Sequence, residues 1–153
     1  MRMRQAIFGK IVTYNQLAKE LDELYQFYAK QSGLTESAFW TLYCVREREA
    51  PYTQKELCDS WSYSRQTINS ALKQLERRGL VALQALPDNR KNKLLTLTPT
   101  GEELVKRIVD PLMEAEINAF AALGAADTEA FLQLTRRHVE LLRAEIDKVL
   151  ATR

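Results

Sequence analysis

The chain has 153 residues, one ordinary domain's worth, enough to bury roughly 70% of its unfolded surface without metal or disulfide staples. A composition of 46% hydrophobic and 27% charged residues, with 5 Gly and 4 Pro, excludes disordered, collagenous and low-complexity classes. No apolar run approaches the roughly 18 residues of a membrane span, and no hydrophobic signal segment follows Met1-Arg2-Met3-Arg4-Gln5, so a cytoplasmic protein with no membrane partner is expected. Cys44 and Cys58 make no C-x-x-C pair and His138 is the single histidine, so neither a metal nor another cofactor is expected.

The net charge of +2 conceals a gradient. Residues 51–101 carry eight Lys/Arg against four Asp/Glu, whereas 102–153 carry seven against ten. A basic middle between near-neutral and acidic flanks places the functional surface in the middle.

Ile7, Ile11, Tyr14, Ala18, Leu21, Tyr25 and Tyr28 recur at intervals of four and three, which predicts one apolar face of a first helix closed by Gly33. A second helix runs from a Thr35 cap to about Glu49, with Ala38, Phe39, Leu42 and Val45 on its main apolar side, and Pro51 closes it. Thr53-Gln54-Lys55-Glu56 fits a capping box and opens a short third helix ending near Ser60, followed by a tight connection at Trp61-Ser62-Tyr63. Ser64 caps a fourth helix that runs to Arg78 and stops at Gly79. Leu80–Leu86 and Lys93–Leu97 read as strands, with the polar residues 87–92 as the tip of a hairpin. Thr98 with Pro99 at the first helical position, or Thr100 with Glu103 as a capping box, opens a fifth helix reaching Leu123, which Pro111 should kink or divide with Asp110 capping the restart. Gly124 ends it, and Asp127 caps a last helix to about Leu150.

The first and last helices, each about 23 to 25 residues and ~35 Å long, match or overrun a compact body whose radius of gyration is about 15 Å. Their apolar stripes run nearly end to end, on the last helix through Phe131, Leu134, His138, Leu141, Leu142, Ile146 and Val149. A homodimer joined through the terminal helices is expected, the alternative being a monomeric bundle. His138 on this stripe reads as an interface residue rather than a metal ligand.

On the fourth helix, at 100° per residue, Ile68, Ala71, Leu72 and Leu75 gather on one side and Gln66, Asn69, Ser70, Lys73 and Arg77 on the other. The second group offers amides, hydroxyls and cations without an acid, which suits base edges and phosphates in a DNA major groove, with Arg65 at its border in the first turn. A merely solvated helix would more often alternate Glu with Lys. A short capped helix, a tight connection, this helix and then a hairpin carrying Arg90, Lys91 and Lys93 is the order of a winged helix-turn-helix.

The chain here resembles the MarR family of bacterial transcription regulators. The resemblance rests on Thr53-Gln54-Lys55-Glu56-Leu57, on Ser64 to Val81 with Leu75-Glu76-Arg77-Arg78-Gly79-Leu80-Val81, and on Asp88-Asn89-Arg90 followed by Leu97-Thr98-Pro99-Thr100-Gly101. It implies a mainly α fold with a small β-hairpin wing. Residues 35–100 then form a DNA-binding lobe and residues 5–33 and 101–151 a helical dimerisation lobe, within a single domain 1–153. It implies a homodimeric repressor whose fourth helices enter successive major grooves of a near-palindromic operator. In the family the wing arginine, matched by Arg90, enters the minor groove, and the acid matched by Asp88 helps to hold it. The DNA-facing set is thus Thr53, Gln54, Ser64, Arg65, Gln66, Thr67, Asn69, Ser70, Lys73, Arg77, Asp88, Arg90, Lys91 and Lys93. Two departures stand out: Leu83 occupies a position that is basic in many members, and the interval from Asp88 to Thr98 is one residue longer than the commonest form.

The second helix has another partly apolar strip, Trp40, Tyr43 and Cys44, beside Glu47. With Tyr25 and Tyr28 it lines a cleft where the resemblance places effector sites and where a small, flat aromatic ligand would fit, unless these rings are simply packing. A ligand that changes the spacing of the two groove helices, about 34 Å apart, would release DNA. Rival readings are a thiol redox switch, with Arg48 one turn from Cys44 while Asp59 and Glu56 disfavour a thiolate at Cys58, and a winged helix used only for protein contacts. An enzyme is not expected, since no phosphate loop, paired acids or nucleophile–base arrangement is visible.

Overall fold

Arg2 to Ala6 contain no cap, Pro or β-branched residue to stop a helix, and α1 (Arg2–Gln31) accordingly runs for 30 residues, longer than its apolar repeat indicates. This is a computed structural model describing residues 2–48, 50–60, 63–86 and 89–152. The chain divides into two compact units, residues 1–109 and 110–153. No helix among the described residues is long and apolar enough to cross a membrane.

In the first unit α1 closes at Gly33, whose φ of 70° is the left-handed conformation glycine adopts without strain. α2 (Glu36–Glu47) starts at Thr35, whose hydroxyl accepts from the Ala38 amide at 3.4 Å. Ala38 through Leu42 are consecutively buried, so this helix is covered on more than one side. It ends at Glu47, short of the expected Glu49, because Arg48 is already extended (φ −119°, ψ 131°). Pro51 restricts the residue before it to extended conformations. Then come β1 (Tyr52–Thr53), α3 (Gln54–Ser60), α4 (Arg65–Arg77), β2 (Val81–Leu86), β3 (Asn89–Leu97) and α5 (Pro99–Ile108).

The three strands form one antiparallel sheet in the order β1-β3-β2. β3 begins at Asn89 instead of Lys93: the ladder continues through polar residues, pairing Leu86 with Asn89 across a register shift after Ala85. Apolar alternation marked only the half of the strand that faces the core, where Leu95 is fully buried opposite Leu83.

At the α5 start Thr98 prevails over Thr100 as the cap: its hydroxyl accepts from the Gly101 amide at 3.0 Å and donates to the Gly79 carbonyl at 2.6 Å. The Thr98 amide reaches the Leu80 carbonyl at 3.1 Å. α5 therefore sits so close to the end of α4 that a Cβ on Gly101 would stand 1.9 Å from the Leu80 oxygen.

The second unit is a helical pair. Val109 interrupts the helix before α6 (Asp110–Leu123), with Pro111 in its first turn, so the fifth helix is divided near Pro111, as the sequence indicates. Gly124 (φ 81°) connects it to α7 (Ala125–Ala151), which begins before Asp127; that residue lies inside the first turn and is not the N-cap. The Thr128 hydroxyl donates to the Phe120 carbonyl at 3.0 Å, and Phe120 and Phe131 face each other at 6.3 Å, fastening the pair.

Gly101→Ala is expected to cost about 1–3 kcal/mol or more, because the new methyl meets backbone instead of a movable side chain. A urea midpoint equal to that of the unsubstituted protein would contradict this packing.

Candidate nucleic-acid interface

The fourth helix is built as its pattern predicts. Ser64 caps it by accepting from the Thr67 amide at 3.1 Å, and Gly79 (φ 66°) follows its end. Ile68, Ala71, Leu72 and Leu75 are each no more than 2% exposed. This leaves Arg65, Gln66, Asn69, Ser70, Lys73 and Arg77 exposed together, with Thr67 half-buried at the edge. The Arg77 Nε donates to the Lys73 carbonyl at 3.2 Å, so its guanidinium lies along its own helix.

α3 opens on a complete capping box. The Thr53 amide donates to Glu56 at 2.8 Å, and the Glu56 amide donates to the Thr53 hydroxyl at 3.2 Å. Arg48 joins from outside, donating to Glu56 at 3.1 Å while lying 4.8 Å from the Tyr52 ring centre. These bonds, the Thr53 amide first, then its hydroxyl and Arg48, hold the Glu56 carboxyl down to about 2 from an ordinary 4.5. Gln54, next to the cap, turns its amide to Asn69 of α4, Nε2 donating to Oδ1.

In the wing, Lys93 is half-buried opposite Ala85, and Arg90 and Lys91 belong to β3. Asp88 lies outside the described residues. The structure thus brings the groove-helix candidates and Gln54 together on one surface.

A groove of about 490 Å³ beside that surface runs between α4 and the start of α2, lined in part by Thr35, Ser37, Ser70, Gln74 and Arg77. Thr35, Ser37 and Gln74 were not among the sequence candidates. The Thr35 hydroxyl donates to Gln74 Oε1 at 2.8 Å across the groove. The only hint in the sequence was that an N-cap and a polar α4 residue must each face something.

A MarR family model matches residues 32–91. The HTH-type transcriptional repressor NicR of Pseudomonas putida is 26% identical over 117 residues, 76% of this chain and 73% of that protein. A MarR family regulator from Neisseria meningitidis aligns in structure with a TM-score of 0.75 at 23% identity, covering 91% of this chain and 97% of the other. One from Listeria monocytogenes, complexed with a 26mer DNA, gives 0.66 at 25% identity and covers 88% and 89%. Residues 32–91 thus match the MarR family, and the chain is similar in sequence and fold to transcriptional regulators of that family.

The aromatic candidates form one cluster. Trp40 is buried and meets Tyr25, Phe39 and Tyr43 edge-on at 5.4, 5.3 and 5.2 Å, while Tyr28 meets Phe39 at 5.9 Å. Cys44 of the same helix is 1% exposed. Tyr63, from the connection ahead of α4, was not anticipated: half-buried, it hydrogen-bonds Glu36, and burial with the nearby Glu36 and Asp22 carboxylates pushes its phenol up. Burial also raises the Cys58 thiol, opposed by Arg65 and reinforced by Asp59, so desolvation outranks the neighbouring acids in disfavouring a thiolate.

The lowered Glu56 carboxyl contributes stability that is complete above about pH 4.5 and is lost as pH falls toward about 2. Glu56→Gln is expected to be less stable than wild type near neutrality, the gap closing across that window. Urea titrations at a series of pH values test this, and a gap independent of pH would refute it.

Proposed function

We propose that this chain is a homodimeric repressor of the MarR family that reads a near-palindromic DNA operator, and that a small aromatic ligand releases it. The carrying observation is α4: a helix fixed by one buried apolar side presents amides, hydroxyls and cations on the opposite, exposed side. Gln66 and Asn69 contact base edges, and Arg65, Ser70, Lys73 and Arg77 approach phosphates. Arg90, Lys91 and Lys93 bring positive charge to the wing, Arg90 toward the minor groove.

Support for a second copy comes from apolar surface that the single chain leaves open. Met3, Ile7, Phe8, Leu17, Leu21 and Leu24 of α1 are exposed, and α7 buries none of its residues although it carries Phe131, Leu134, Leu141 and Ile146. Large apolar side chains left open in such number on a helix mark an interaction surface. Two subunits at a fixed separation then address half-sites about one helical turn, ~34 Å, apart.

The Tyr25, Tyr28, Trp40, Tyr43 and Cys44 cluster is the proposed effector site. Its rings already touch, so a ligand enters by displacing one of them, and Tyr63 with Glu36 links the neighbouring helix to the start of α4. To release DNA the ligand must prefer the unbound arrangement by a few kcal/mol.

With four or five phosphates neutralised per subunit, log Kd for an operator obtained by selection from random duplexes should change with log salt by a slope of roughly 7 to 9. Lys73→Ala or Arg77→Ala should weaken all duplexes alike. Failure to select any sequence, or a monomer in sedimentation at micromolar concentration, would overturn the proposal. For the effector, small aromatic acids should raise the melting temperature and weaken operator binding together; stabilisation with unchanged operator affinity would refute the coupling.

A further inference from the structure

We propose that Gln54 and Asn69 act as a single amide pair that reads one adenine per half-site in the major groove. This rests on the DNA-binding reading above and adds to it the base and the second residue that recognise it. Asn69 alone has two ways to turn its amide, and each presents a different pattern to a base edge. The bond from Gln54 Nε2 to Asn69 Oδ1 removes that choice. With Oδ1 accepting from Gln54, the outward donor of the pair is Asn69 Nδ2, and Gln54 keeps Oε1 as an acceptor.

Both ends of the pair are anchored. Gln54 is the first residue of α3, directly after the Thr53 cap whose reciprocal bonds with Glu56 fix the backbone there. Asn69 is exposed on α4, one residue after Ile68 and three before Leu72, both buried, so that helix cannot rotate it away. The two side chains come from helices separated by the connection of the helix-turn-helix and meet where α4 faces outward.

Base-edge chemistry selects the partner. Adenine presents N7 as an acceptor next to N6 as a donor, which matches one donor and one acceptor side by side. Guanine presents two acceptors, N7 and O6, and would set O6 against Gln54 Oε1. Thymine offers O4 beside a methyl group, and cytosine offers only its N4 donor. Adenine alone satisfies both halves of the pair.

The test uses the full-length protein and a duplex selected from random sequence, read by titration at constant salt. One position per half-site should be adenine. Replacing it there by 7-deazaadenine, which lacks the N7 acceptor, or by purine, which lacks the N6 amine, should weaken wild-type binding roughly 5- to 150-fold, the range of one bidentate contact. Gln54→Ala and Asn69→Ala should each lose preference at that same position, and the double variant should lose no more than the worse single one. Matching melting temperatures confirm that the variants fold, and the base analogues on wild-type protein need no variant. If Asn69→Ala relaxes a position that Gln54→Ala leaves intact, or if the selected position is not adenine, the pair is overturned while operator binding stands. If no sequence is selected at all, the DNA-binding reading falls and this one with it.

Discussion

Four apolar side chains on one side of α4 decide which way its other side points. Ile68, Leu72 and Leu75 each contribute about 1.5–3 kcal/mol on burial, and Ala71 lets α4 lie close to α2. Against that, one outward hydrogen bond is worth only about 1 kcal/mol, so no polar contact can turn the helix about its axis. The apolar face therefore sets the chemistry of the exposed one, and the polar residues act from positions chosen by the core.

Polar bonds then make the finer adjustments. The Arg48, Glu56 and Thr53 chain holds the head of α3, and Thr98 holds the head of α5 to the end of α4 through Gly79 and Leu80. Each is a cap whose hydroxyl or carboxylate satisfies backbone groups that a helix end leaves open. Each also reaches a second element, so local helix termination and tertiary register come from the same atoms.

Much of this was legible because period and caps leave marks in the sequence. The α4 face, the Ser64 and Thr53 caps, Gly79 and the break near Pro111 all follow from local rules and stand in the structure. What escaped notice lacks a local signature. β1 has two residues and exists only because β3 lies beside it. The polar half of β3 carries no apolar alternation, and Arg2 to Ala6 extend α1 by propensity alone. At the candidate site, the face of α4 was readable from 100° spacing, whereas the contacts of Gln54 with Asn69, Thr35 with Gln74 and Tyr63 with Glu36 join residues from different elements. Spacing along one helix says nothing about such partners.

The small strand β1 has a mechanical effect out of proportion to its length. Tyr52 and Thr53 pair with Leu95 and Leu94, so the segment leading into α3 is laced to the returning strand of the wing. This ladder links the wing to the segment that opens α3, whose first residue, Gln54, bonds Asn69, so the two arms are joined through it. Substitutions at Leu94 or Leu95 that splay the sheet will therefore disturb both arms together, and adaptation of one arm to a new target must be compatible with the seating of the other.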